Sequence, residues 1–260
     1  MSSFLIDSHC HLDYEADLTA QAQIVSRAKL AGVAYMATIG VKLTTAPQII
    51  DTAARYDNVF AVVGVHPEYA QEEKPFTDVD ALCRAAAHPK VIGLGETGLD
   101  YYYNADTKDA QRELFALHLR AAKKARVPVV IHTRAADEDT IEILKQEAGD
   151  GLTGVLHCFS SGEKLARTAL DLGFYLSASG IVTFKKSAAL RDIFKGVPLN
   201  RLLVETDSPY LAPEPYRSRI NEPSYVVKTA ERLAEIKGVS FEELANATTE
   251  NFFTLFAKAK

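Results

Sequence analysis

Short apolar runs alternate along this chain with longer stretches whose apolar positions recur every three or four residues. The first run, Phe4-Leu5-Ile6, leads into Asp7-Ser8-His9-Cys10-His11-Leu12-Asp13 and is read as a strand with its end. Residues 16–30 have the apolar spacing of an amphipathic helix, and Gly32 is placed to stop it. Further buried-strand runs are predicted at 33–39, 59–65, 91–95, 127–131, 154–156, 174–177 and 201–205. Between them fall helical patterns at 44–56, with Pro47 in its first turn, and at 78–87, 106–126, 137–147, 163–172 and 187–194. From about residue 222 the pattern is helical throughout, with Ser240 as the N-cap of a helix over 241–247.

Eight strands in strict alternation with helices predict an α/β chain closed as a (β/α)8 TIM barrel, one domain over residues 1–260. A doubly wound open sheet is the competing arrangement. Polar residues at the C-terminal ends of strands one, three, four, five, six and eight favour the barrel, which gathers all those ends onto one ring.

Composition narrows the function. The chain is 47% hydrophobic and carries a net charge of −5, so it lacks the broad basic face of a non-specific DNA coat. Cys10, Cys83 and Cys158 are odd in number and unpatterned, which predicts no disulfide framework. With neither a signal-like start nor a run of membrane-spanning length, the expected location is the reducing cytoplasm.

The chemistry lies at the strand ends. His9 and His11 are two apart, a spacing that turns both side chains of a strand to one face. Glu96, His132, His157 and Asp207 close the fourth, fifth, sixth and eighth strands. Each alone has an ordinary structural reading; together they form an imidazole and carboxylate set for divalent metal. Four histidines and two carboxylates exceed one tetrahedral site, so two metals are expected, with Glu96 as the bridge. His66 ends the third strand and is read as a donor to substrate phosphate rather than as a ligand. His88 and His118 are read as structural, His118 on the outside of the barrel. Cys10 and Cys158 are expected to turn away from the lumen. Gly93-Leu94-Gly95-Glu96-Thr97-Gly98 fits a dinucleotide fingerprint, but Leu99-Asp100-Tyr101-Tyr102-Tyr103 does not open a helix after it. The glycines are instead expected to let backbone crowd in near Glu96.

These motifs resemble the TatD family of metal-dependent deoxyribonucleases, barrels of the amidohydrolase-like type. The resemblance rests on Asp7 to Asp13, Gly64-Val65-His66-Pro67, Gly95 to Asp100, Ile131-His132-Thr133-Arg134, His157 to Gly162 and Glu205-Thr206-Asp207-Ser208-Pro209-Tyr210-Leu211. It implies one metal held by His9, His11, Glu96 and Asp207 and a second by Glu96, His132 and His157. It also implies a nuclease acting at 3′ ends, and a carboxylate bridge in place of the carbamylated lysine of wider relatives. The loop 215–220 departs from the family pattern.

The expected chemistry is hydrolysis by a metal-bridging hydroxide, with Glu96 and Asp207 as the catalytic carboxylates. Asp207 takes the water proton, and Glu205 orients a ligand histidine from behind. Zn, Mn or Mg are the candidate ions. Arg134, Lys185, Lys186, Arg217 and Arg219 are expected to form a basic rim for phosphate, and Tyr101, Tyr102 or Phe159 to stack on bases. The substrate is expected to be the single-stranded end of DNA, or another phosphodiester or ester. Two alternatives stand beside the nuclease: hydrolysis of an aminoacyl-tRNA ester by the same centre, and a non-catalytic metal-binding protein.

Overall fold

The computed structural model describes residues 4–149 and 151–260. Strand and helix alternate as β1 (Leu5–Cys10), α1 (Leu18–Leu30), β2 (Val33–Ile39), α2 (Ala46–Ala54), β3 (Val59–Val63) and α3 (Ala70–Glu73). Next come α4 (Val79–Ala86), β4 (Val91–Asp100), α5 (Lys108–Ala125), β5 (Val129–Arg134), α6 (Asp137–Glu147) and β6 (Gly154–Leu156). The series ends with α7 (Glu163–Asp171), β7 (Tyr175–Ala178), α8 (Ala188–Gly196), β8 (Leu202–Val204), α9 (Val226–Lys237) and α10 (Phe241–Leu255). Local chemistry sets several boundaries. Asp17 accepts hydrogen bonds from the amides of Thr19 and Ala20 and starts α1, and Ser240 does the same for α10 through Glu243. Gly238 ends α9 in the left-handed region at φ 68°.

The eight strands form one parallel sheet in sequential order, each paired with the next. The curl returns β8 to β1 just beyond the strand ends, where Asp207 N–H donates to His9 O and His11 N–H to Ser208 O, both at 2.9 Å. Asp7 ties the same seam from below. Its buried carboxylate accepts the Thr206 amide at 2.8 Å and the Thr206 hydroxyl at 2.6 Å. Burial pushes the Asp7 carboxyl up to about 8. The lumen is a packed core. Ile6, Val62, Ile92, Val130, Val155 and Leu203 fill it, and Phe252 of α10 and Phe256 just beyond it plug its base. A larger apolar shell joins the outer faces of the strands to the helices. Among the described residues no helix is long and apolar enough to cross a membrane.

Several element bounds differ from expectation. β4 runs on through Glu96 to Asp100, and β5 through His132 to Arg134. Register breaks explain why the apolar pattern stopped short. Between Leu94 and Thr97, β4 carries one residue more than β5 opposite it, and the Gly95–Glu96 peptide there is cis. A similar break lies between Asp7 and Cys10. α10 extends to Leu255 because its plugging phenylalanines prolong the buried face beyond residue 247.

Candidate metal centre

The barrel brings the six sequence-predicted ligands to the floor of one cleft of about 530 Å³ at the C-terminal mouth. Glu96 is central and buried. Its Oε1 lies 2.7 Å from His157 Nε2 and 2.9 Å from His132 Nδ1, while its Oε2 faces His9 Nε2 at 3.4 Å. Asp207 Oδ1 lies 3.6 Å from both His9 Nε2 and His11 Nε2. The two oxygens of one carboxylate thus face two different groups of imidazoles. His11 stands just past β1 yet still turns to the same point as His9, their rings edge to face at 5.2 Å.

The donor set suits divalent metal. His9 is fully buried, and neither of its ring nitrogens has a hydrogen-bond partner. An unpartnered buried imidazole costs roughly 1–3 kcal/mol, and a metal ion would remove that cost. Burial lowers the His9 pKa, which keeps a lone pair available. Burial acts to raise the Glu96 carboxyl, but the imidazoles of His157, His66 and His132 outweigh it and hold Glu96 well below the usual carboxylate range. Three groups bring one ligand atom per residue within 4.8 Å of each other: His9, His11 and Glu96; His66, Glu96 and His132; and His9, His157 and Glu205.

Hydrogen bonds behind the centre orient the rings. His11 Nδ1 donates to Ile39 O at 3.0 Å, which leaves its Nε2 bare, whereas His157 lies between two carboxylates, Nδ1 3.2 Å from Glu205 Oε1 and Nε2 2.7 Å from Glu96 Oε1, which outweigh burial and hold its pKa well above the ordinary imidazole value. Glu205 Oε1 is anchored in turn by the Cys158 amide at 2.8 Å. His132 is turned the other way. Its Nε2 lies 3.2 Å from Asp100 Oδ2, leaving Nδ1 toward Glu96. The sequence reading gave Asp100 no role. The signal was available, because Asp100 stands four residues beyond Glu96 in β4 and so shares its face.

His66 differs from the others. Its Nδ1 accepts the Glu68 amide at 3.2 Å, so the neutral ring carries its proton on Nε2, the atom 3.5 Å from Glu96 Oε1. A protonated nitrogen donates and cannot coordinate. Burial lowers its pKa to about 4. His118 lies on the outer side of the barrel, in α5, and is buried there. It faces the sheet from α5, accepting the Val65 amide and donating to Leu114 O, with its pKa lowered by burial to about 4. His88 is exposed, and its ring Nδ1 accepts the Lys90 amide.

The rim departs further from expectation. Arg134 lines the cleft, its guanidinium 4.3 Å from the Tyr102 ring and 4.5 Å from the Tyr103 ring. Tyr102 is therefore a shelf beneath Arg134, and Tyr103 is the ring that lines the cleft. Arg217 lies away from the lining, packed 3.7 Å over Phe184 and bonded to Ala212 O, and Arg219 sits over Tyr216. Lys186 opens on a separate groove between α7 and α8. Phe159 is buried against Phe194, and Tyr101 lies outside the lining of the cleft, its ring under the Lys108 ammonium at 4.2 Å and its hydroxyl on Asp139. Cys158 does not turn away. At φ 43° beyond the end of β6 it lines the cleft, its sulfur 3.2 Å from Ser179 Oγ. Cys10 does turn away, into the outer shell.

The family model of the TatD-related DNases matches residues 6–257. The uncharacterized metal-dependent hydrolase YcfH of Escherichia coli is 46% identical over 97% of this chain and 96% of its own length. The protein named 3′-5′ ssDNA/RNA exonuclease TatD from Salmonella typhimurium is 33% identical over 90% of this chain and 91% of its own. Among solved structures, the TatD homologue YJJV of Escherichia coli superposes with a TM-score of 0.91 at 26% identity, over 97% of this chain and 98% of that one. An uncharacterized amidohydrolase from Saccharomyces cerevisiae shares the fold, with a TM-score of 0.80 at 16% identity, over 98% of this chain and all of that one. The chain belongs to the TatD family of metal-dependent hydrolases.

Proposed function

We propose that this protein is a two-metal nuclease that removes nucleotides from single-stranded 3′ ends of DNA or RNA in the cytoplasm. The observation that carries the reading is Glu96, whose two carboxylate oxygens face separate imidazole groups. His9, His11, Asp207 and one Glu96 oxygen would hold one ion, and His132, His157 and the other Glu96 oxygen the second. The name of the Salmonella relative supports the substrate class and the strand polarity. Divalent ions, with Mg, Mn and Zn as candidates, would supply an acidified water and neutralise phosphate charge.

The chain's own groups do the rest. Asp207 turns Oδ1 to the histidines and keeps its second oxygen to accept a proton. Glu205 holds the orientation of the His157 ring, and Asp100 that of His132. His66 offers an Nε2–H donor to a phosphate oxygen. Arg134 offers a fixed cation to the neighbouring phosphate. The ligands lie at the floor of the cleft, where a free strand end reaches and a paired duplex does not.

The test compares a 5′-labelled linear single strand with a covalently closed single-stranded circle, each with added Mg, Mn or Zn and after chelation. A ladder from the linear strand, an intact circle and loss of both activity and ladder with chelator are expected. Rapid cutting of the circle would replace the exonuclease with an endonuclease. Cleavage of an aminoacyl ester with both nucleic acids left intact would overturn the nuclease.

A further inference from the structure

Two tyrosines stand beside the histidines of one half of the centre. Tyr14 follows β1 on a short turn, and its ring stacks on His11 at 4.8 Å and 15°. Tyr210, whose amide donates to Asp207 O, stands edge-on to Tyr14 at 6.3 Å and 82°. Both line the cleft, yet 45% and 55% of their surface is open to solvent. Two exposed rings at a right angle leave a corner with one flat wall and one edge, which fits a flat aromatic guest. The carboxylate of Glu68 also lines the cleft, while its cation, Arg134, belongs to β5. Arg134 packs over Tyr102 and Tyr103, and among the described residues no cation lies over Tyr14 or Tyr210, so phosphate is drawn to Arg134 and away from the corner.

We propose that the Tyr14–Tyr210 corner seats the unpaired nucleobase of the nucleotide being released, while the adjoining phosphate runs toward Arg134. This rests on the nuclease reading and adds the subsite that selects for an unpaired base. Every base offers a π-face, so the corner tolerates any of them and rejects a residue that has none. Neither tyrosine had a role in the sequence reading, which looked for stacking in the run Tyr101-Tyr102 and at Phe159.

The test uses metal-loaded protein and two single strands differing only at the 3′ residue, one with a base and one abasic. Stacking of this kind is worth about tenfold or more per base. The wild-type protein is therefore expected to prefer the strand with the base by about that factor in kcat/KM. In Tyr210→Leu, and separately in Tyr14→Leu, the ratio is expected to fall toward one, with metal content held as in the wild type. A substitution that merely loosened the barrel would lower both rates and keep the ratio. A second readout needs no turnover: a 3′-terminal 2-aminopurine is expected to be quenched on binding wild-type protein and less so by Tyr210→Leu. Equal wild-type rates on the two strands, or no quenching, overturns the corner. Quenching without any cleavage keeps the corner and overturns the nuclease reading instead.

Discussion

His66 and His157 both lie just beyond strands and within 3.5 Å of Glu96 Oε1, yet their Nδ1 atoms meet opposite partners. The difference comes from what stands behind each ring. Behind His157 is a carboxylate that accepts a proton; behind His66 is a backbone amide that gives one. His66→Ala is therefore expected to keep the full metal content and lower turnover by about 100-fold, the usual loss for one donor to a developing charge. Elemental analysis beside single-turnover kinetics decides it, and loss of metal would make His66 a ligand. Glu96→Ala is the contrasting control, because both proposed metal positions would share that carboxylate. At this scale the candidate ligands were legible, since strand-end histidines and acids are few and share one ring. The His66 tautomer was not, because it depends on where the Glu68 amide points. The tyrosine corner was missed for a related reason: rings on short turns after strands follow no period.

At the scale of an element, β4 holds the two carboxylates nearest to His132, and its glycines explain how. A methyl group at Gly98 would lie 2.0 Å from His132 O, and one at Gly95 would lie 2.5 Å from Val130 O. Gly98 also has φ 137°, a conformation costly for any side chain. The fingerprint-like spacing thus serves close packing of β4 on β5, which keeps Glu96 and Asp100 against His132. Gly98→Ala is expected to cost about 3 kcal/mol or more and to reduce metal binding, as read by denaturant unfolding and by metal content. A variant as stable as the wild type would mean that the two strands can part there without cost. The alternation of elements was legible from apolar spacing. The end of β4 was not, because its extra residue breaks the period on which that reading depends.

For the molecule as a whole, closure of the sheet and distribution of charge act together. Sequential pairing of eight strands, sealed by Asp7 and by the backbone bonds of His9 and His11, draws the scattered ligands into one enclosed centre. Around it the chain is acidic, at −5 net. Of the five cations expected to form a rim, Arg134 is the one that lines the cleft among the described residues. Few phosphates can then be neutralised when a strand binds. Counterion release from single strands contributes a slope of roughly −0.7 per phosphate contact, so one to three contacts give a slope between about −0.7 and −2. The KM for a short single strand, measured across a several-fold range of salt at fixed metal concentration, is expected to follow that shallow dependence. Each round of cleavage should also end in release, because so small a footprint holds the strand only at its end. A slope steeper than about −4, or products that pass from full length to the limit without intermediates, would require a basic track outside the cleft. The loop bearing Arg217 and Arg219 would then be the first place to look, since it carries the exposed charge nearest in sequence to Asp207.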